Sequence, residues 1–266
     1  MSSLTAAFRF GGTLQQDLLE TAMSGADDSS PGCSAAQGGR TVSDLRVSAA
    51  VALVGSAVAV FLLYYNLSGR PVWAAPSSLF HGASWEEYLL VNTTALLFVP
   101  WLSVAALGLD LSEFGARNPR QGASRIAALF FAGMAPLLLW ASTRSEFQSY
   151  YPLVPQAAYD FRWLVYHEIT YGFYLFCWEW FFRGYLTFGL ARRFGGVSAV
   201  AAQAAVFGLL HIGKPAPEVV GSFVAGVALG WLALRGRIFL PCFWVHWAVS
   251  VAFDCLVIWQ RPGGLF

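Results

Sequence analysis

Charged residues are scarce in this sequence. Only 12% of its 266 residues are Asp, Glu, Lys or Arg, against about 25% in an ordinary soluble domain, and 57% are hydrophobic. The formal charge of +1 and the absence of a basic cluster exclude a nucleic-acid partner. The four cysteines form no CxxC pair, which argues against disulfide or metal sites, and we interpret the three in apolar runs as small buried residues. These deficits favour an all-α, polytopic transmembrane helical bundle.

Long apolar runs divide the chain into about seven predicted spans. Residues 1–45 are polar and small, lack the features of a signal peptide, and predict a disordered cytoplasmic tail. We predict that residues 46–160 form N-terminal transmembrane helices and that residues 161–260 form a core that carries the functional site. The predicted spans cover residues 47–67, 88–109, 126–142, 161–190, 197–212, 217–234 and 239–259.

The positions of Lys and Arg predict the orientation in the membrane. With the N-terminus inside, nine of them flank the inner ends of the spans and five flank the outer ends, which favours a cytoplasmic N-terminus. The inner residues are Arg40, Arg46, Arg117, Arg120, Arg125, Arg192, Arg193, Arg235 and Arg237, and the outer ones are Arg70, Arg144, Arg162, Lys214 and Arg261. We therefore expect a multi-pass protein, in a bacterial inner membrane.

Four ionisable side chains interrupt apolar runs and form the candidate catalytic set. Glu179 and Arg183 are four residues apart, which places them on one face of a helix. His211 and His246 interrupt two later spans. Counted from the inner flanks, Glu179, His211 and His246 lie roughly 20, 22 and 14 Å along their helices, so they can share one level in the membrane. Ionisable groups at such depth mark functional sites.

Further polar residues are candidates for supporting roles. Glu168 returns to within about 20° of the Glu179 face after eleven residues. Ser250 and Asp254 follow His246 on one stripe of the last helix, and Glu218 opens the sixth span. Each residue of the catalytic set also has a purely structural explanation. Glu179 and Arg183 can be a neutralising intrahelical ion pair, His211 an interfacial residue, and His246 a residue hydrogen-bonded to a neighbouring helix.

The candidate set suits hydrolysis within a membrane. The carboxylate would take a proton from water, the imidazoles would donate to the developing oxyanion, and the arginine would orient the carboxylate. The same residues are also compatible with a divalent metal such as zinc, bound by Glu179, His211 and His246. Haem held between the two histidines, or a transport function, are weaker alternatives.

The order of these motifs resembles that of the CPBP family of intramembrane proteases, also called CAAX-protease-like or bacteriocin-processing proteins. The family has a Glu-Glu-x-x-x-Arg helix, a Phe-x-x-x-His helix and a later His-x-x-x-Asn/Asp helix. This chain has Glu179 to Arg183, then Phe207 to His211, and then His246. The resemblance covers about residues 160–260.

The resemblance implies a membrane endopeptidase acting on membrane-associated, and in particular CAAX-type prenylated, substrates. The sequence departs from the family pattern at two positions. Trp178 replaces the first glutamate of the motif, and Ser250 stands where Asn or Asp is expected. The alternative is therefore a catalytically impaired member that acts as a membrane binding, immunity or assembly factor.

Overall fold

The described part of the chain is predominantly helical. The computed structural model describes residues 31–67, 85–118 and 122–266, and within these ranges no strand is formed. The unit from Asp44 to Phe266 contains all the candidate site residues. The α-helices are α1 (Pro31–Leu67), α2 (Trp85–Thr93), α3 (Val99–Ala106), α4 (Ala123–Ser142), α5 (Ser145–Tyr150), α6 (Phe161–Glu179), α7 (Thr187–Leu209), α8 (Ala216–Gly236) and α9 (Leu240–Gln260). Two π-helical segments, Thr94–Phe98 and Trp180–Leu186, join α2 to α3 and α6 to α7, and 3-10 turns occupy Leu111–Phe114 and Pro155–Ala158.

The predicted all-α membrane bundle is confirmed. Within the described ranges, five helical segments are long and apolar enough to cross a membrane: Ser43–Asn66, Trp85–Ala106, Ala123–Ser142, Ala216–Gly236 and Leu240–Gln260. Each of them overlaps a predicted span. The two remaining predicted spans coincide with the helices that carry the charged motif, from Phe161 to Leu209. That region is helical as expected, but it does not have the uniformly apolar character of the other five.

The boundary between the fourth and fifth predicted spans coincides with a break at Gly195. This residue has φ 76° and ψ 164°, a conformation that only glycine adopts readily. The helical path therefore changes direction within α7. The long stretch from Phe161 is thus followed by a separate segment that leads to His211.

The predicted tail differs from the structure at its C-terminal end. Helix α1 begins at Pro31, earlier than the predicted boundary at about residue 45. Residues 1–30 of the predicted tail lie outside the described residues. The division into an N-terminal helical part and a C-terminal core remains a prediction.

Large apolar side chains cover much of the exterior of the bundle. Leu53, Leu129 and Val197 are among the most exposed, at 74%, 70% and 81%. An exposed apolar surface of this extent would be unfavourable in water, whereas lipid chains accept it at no cost. The exposed residues therefore agree with a protein that is integral to a membrane.

Helices α7 and α8 pack closely because α8 presents glycine at their contact. A Cβ atom built on Gly226 would lie 2.9 Å from the Cα atom of Ala204, and Gly230 also faces α7, next to Gln203 and Val200. Gly221, on the same helix, has open space around it. Two of these three glycines, Gly226 and Gly230, therefore lie at the contact and allow the two backbones to approach each other.

We expect Gly226→Val to destabilise the bundle by about 1–3 kcal/mol, because the added side chain must push against the backbone of α7. Gly221→Val is the matched control, since its side chain would enter open space. The free energy of unfolding in detergent measures both effects. Equal stability of the two variants would contradict the proposed close approach.

Candidate active site

Glu179 lies at the centre of the candidate site and joins two other predicted residues. Its Oε1 atom accepts hydrogen bonds from Arg183 Nη1 at 3.1 Å and from His246 Nδ1 at 2.6 Å. Glu179 and Arg183 are fully buried, whereas the His246 side chain remains 21% exposed. The predicted convergence of Glu179 with an arginine one turn away and a histidine from α9 is therefore present in the fold.

The local helix geometry changes at this point. Glu179 is the last residue of α6, and the π-helical segment Trp180–Leu186 follows at once and contains Arg183. The hydroxyl group of Thr187 donates to the carbonyl of Phe182, which occupies one of the backbone acceptors in this wider turn. Such π-helical turns are frequent at functional sites.

Aromatic rings enclose the guanidinium group of Arg183. Its Cζ atom lies 4.0 Å from the centre of the Phe207 ring and 5.7 Å from that of Phe182. A buried cation is costly unless it is paired, and here both the Glu179 carboxylate and the ring faces stabilise it. The arginine therefore holds the carboxylate in one orientation.

His211 lies in the turn that follows α7 and contacts the same aromatic ring, that of Phe207. The Phe207 ring centre is 4.5 Å from that of His211 and 6.1 Å from that of His246. His211 Nδ1 donates to the carbonyl of Phe207 at 2.7 Å. A neutral His211 therefore carries its proton on Nδ1 and presents Nε2 as an acceptor. The predicted role as an oxyanion donor would require the protonated ring.

Trp178 stands at the position where the resemblance noted in the sequence implies a first glutamate. The indole is buried and its ring centre lies 5.8 Å from those of both His211 and Phe207. It also packs against Phe182 at 4.9 Å. A large apolar ring thus occupies the space beside His211, while the remaining carboxylate, Glu179, faces His246.

The structure places two of the supporting candidates in a different cluster. Glu168 and Asp254 lie together with His167, whose Nε2 atom is 3.1 Å from Asp254 Oδ2. Glu168 is buried, but eleven residues of helical rise, about 16 Å, separate it from Glu179, whose helical face it was expected to share. Ser250 is half-buried on α9 between His246 and Asp254.

Glu218 belongs to a third group of polar side chains, at the start of α8. Tyr151 donates its hydroxyl proton to the Glu218 carboxylate at 2.7 Å, and Lys214 Nζ donates to Glu218 at 2.8 Å. Burial acts to lower the pKa of Lys214, but the Glu218 carboxylate and neighbouring tyrosines outweigh it and raise that pKa well above its ordinary value. The ion pair is therefore intact at neutral pH, and the stability it contributes is lost as the pH rises through the raised pKa of Lys214. Together with the Tyr151 hydroxyl group, this ion pair connects the turn after His211 to the segment around Tyr151.

Sequence reasoning missed His167, because a single histidine beside a glutamate in an aromatic run carries no recognisable motif. Among the described residues, one set of His, Cys, Asp and Glu side chains has three ligand atoms within 4.8 Å of one another: His167, Glu168 and Asp254. The zinc set predicted from the sequence, Glu179, His211 and His246, is a different one and stays a prediction.

Comparison with known proteins gives one match. Residues 162–252 match the model of a family described as Rce1-like, type II CAAX prenyl endopeptidase. The matched region begins in α6, includes Glu179, Arg183, His211 and His246, and ends in α9. Neither a curated protein nor a solved structure matches the chain.

Proposed function

We propose, from the membership of residues 162–252 in the Rce1-like family of CAAX proteases, that this integral membrane protein hydrolyses peptide bonds of membrane-associated substrates. Prenylated peptides of the CAAX type are the first substrate class to test. The observation that carries the proposal is the 2.6 Å contact between Glu179 Oε1 and His246 Nδ1, with Arg183 on the same carboxylate oxygen.

The geometry favours His246 as the group that contacts the attacking water. Glu179 is fully buried, so it does not reach the exterior itself, whereas His246 is partly exposed. With its Nδ1 proton donated to Glu179, His246 presents the lone pair of Nε2. Nε2 would take the proton of water, and the carboxylate would stabilise the imidazolium that results. The imidazolium would then return the proton to the leaving amine.

His211 supplies a second imidazole near the same site. Its ring is held by the hydrogen bond to Phe207 and by the Trp178 indole, so its orientation is fixed. In the neutral form its Nε2 atom accepts a proton, and in the protonated form it donates to an oxyanion. We assign it a role in binding the reacting carbonyl group or the water, next to the Glu179–His246 pair.

One observation favours a second candidate function. An indole, that of Trp178, lies against His211 at the position where the family resemblance implies a carboxylate. A member of the family that binds a membrane peptide without cleaving it would need the pocket but not that carboxylate. Such a protein would act as a membrane binding, immunity or assembly factor.

A cleavage assay on the full-length protein in proteoliposomes separates the two candidates. The substrate is a farnesylated peptide with a CAAX C-terminus, the control is its unprenylated form, and mass spectrometry detects the products. We expect the wild-type protein to cleave the prenylated peptide. If it binds this peptide without cleaving it, and Trp178→Glu introduces cleavage, the endopeptidase proposal is wrong and the second candidate is supported.

The remaining features of the proposal concern location and cofactor. The bias of Lys and Arg supports a cytoplasmic N-terminus, and a bacterial inner membrane is the expected location. The proton transfers described above need no metal. A zinc ion bound by Glu179, His211 and His246 would instead activate the water directly. Activity that survives a chelator would support the first of these two mechanisms.

A further inference from the structure

A second cluster of ionisable side chains lies inside the bundle, away from Glu179. His167 and Glu168 project from α6, and Asp254 projects from α9, with their ligand atoms within 4.8 Å of one another. The exposed fractions are 0%, 8% and 1%, respectively. The cluster lies in the first half of α6 and the second half of α9. The proposed proton transfers at Glu179 do not use it.

The polar atoms of this cluster are poorly satisfied by the rest of the protein. Among the described residues, both carboxylate oxygens of Glu168 and the Nδ1 atom of His167 are buried without a hydrogen-bond partner. An unsatisfied polar group at such a place costs about 1–3 kcal/mol, and a charged one costs more. A ligand that binds these atoms would remove that cost.

The charge of the cluster is also unbalanced. Two carboxylates bring up to two negative charges into an apolar bundle. In the described parts of the chain, neither of them forms an ion pair with Lys or Arg, and the ion-pair partner of Asp254 is His167. Charges buried in such an environment are normally paired or coordinate a metal. A divalent cation would neutralise both carboxylates at once.

We propose that His167, Glu168 and Asp254 form a binding site for a divalent transition-metal ion such as Zn²⁺ or Mn²⁺. One imidazole and two carboxylates are an ordinary ligand set for these ions. In a tetrahedral site with metal–ligand bonds of about 2.0–2.2 Å, the ligand atoms are about 3.4 Å apart. The 3.1 Å separation of His167 Nε2 and Asp254 Oδ2 is close to that value.

Neighbouring side chains hold the ligands in place. The His167 ring stacks on Tyr171 at 5.4 Å and contacts the Trp85 ring at 5.1 Å. Trp247 Nε1 donates to the backbone carbonyl of Glu168 at 3.0 Å and ties α9 to α6. A bound ion would link the same two helices directly. Because α6 and α9 also carry Glu179 and His246, the ion would stabilise the arrangement of the candidate active site without contacting it.

Metal binding to the purified, chelator-treated full-length protein tests this proposal. Zn²⁺ and Mn²⁺ are titrated separately, and the bound ion is quantified by equilibrium dialysis with elemental analysis. We expect one ion per chain, and a loss of affinity of about 100-fold or more in Asp254→Asn and Glu168→Gln. Glu179→Gln is the matched control, because it removes a buried carboxylate from the same bundle but leaves these ligands intact.

Two further measurements keep the test decisive if a variant fails to fold. X-ray absorption of the zinc-loaded wild-type protein should show one coordinating nitrogen, from a single imidazole, and oxygen atoms as the other ligands. Binding of zinc by Glu179, His211 and His246 would instead give two imidazoles, and Glu179→Gln would abolish it. The absence of stoichiometric binding of either ion to the wild-type protein would also overturn the proposal.

Discussion

Glu179→Gln should lower the rate of peptide hydrolysis by about 10²–10⁴-fold, because the general base His246 depends on this carboxylate. The amide keeps the shape of the side chain and still accepts a hydrogen bond from His246 Nδ1. It does not carry the negative charge that stabilises the imidazolium after proton transfer. The effect should therefore be on kcat, while the affinity for a membrane peptide stays close to that of the wild-type protein.

Glu113→Gln is a suitable control for this experiment. Glu113 is a partly exposed carboxylate in the 3-10 turn Leu111–Phe114 and pairs with Arg192 at 2.7 Å, away from the Glu179 site. Its replacement should leave hydrolysis unchanged. Cleavage at the wild-type rate by Glu179→Gln, with the variant folded by circular dichroism, would remove Glu179 from the mechanism.

Arg183→Met should destabilise the protein by about 3–5 kcal/mol, the usual cost of leaving one partner of a buried ion pair without the other. The carboxylate of Glu179 would then retain only His246. The guanidinium group also loses its contact with the Phe207 ring at 4.0 Å, so packing adds to the electrostatic loss. Unfolding in a denaturing detergent measures the change in free energy.

The double variant Glu179→Gln with Arg183→Met separates these contributions. It removes both charges, so it should recover a large part of the stability that Arg183→Met loses. Hydrolysis should stay as low as in Glu179→Gln alone. If Arg183→Met is as stable as the wild-type protein, the ion pair has no structural role and the arginine is held by its aromatic neighbours.

The part of the site that follows from local sequence spacing could be predicted. Glu179 and Arg183 are one helical turn apart, and their hydrogen bond is the one that this spacing implies. His246 could be placed at a compatible depth from its distance to the inner flank of α9. The same arithmetic did not reveal which atoms meet, because helix rotation and tilt decide that Glu179 faces His246 rather than His211.

The supporting candidates illustrate the limit of one-dimensional reasoning. Glu168 is on nearly the same helical face as Glu179, yet the rise of α6 carries it to a different level, where α9 offers Asp254. His167 could not be found from its neighbours in the sequence, since its significance depends on a residue 87 positions later. Likewise, the contact of Glu218 with Tyr151, 67 positions earlier, depends on the fold and could not be predicted from sequence spacing.

The fold itself was predictable to a similar degree. Apolar runs indicate helices and Gly195 marks the break between two of them, because local composition controls both features. The start of α1 at Pro31 could not be predicted in this way, since the first residues of that helix are polar and small. The change from α- to π-helical geometry after Glu179 left no trace in the hydropathy pattern.

That π-helical segment fixes the rotational register between the two halves of the motif. A π turn holds one more residue than an α turn, so Trp180–Leu186 accommodates a residue that a regular helix would have no room for. Deletion of a single residue within the segment would preserve a continuous helix and most of its apolar composition. It would also convert the wide turn into a regular α-helical turn, so the backbone path between Glu179 and Thr187 would change. Length conservation between Glu179 and Thr187 therefore matters as much as the identity of the residues between them.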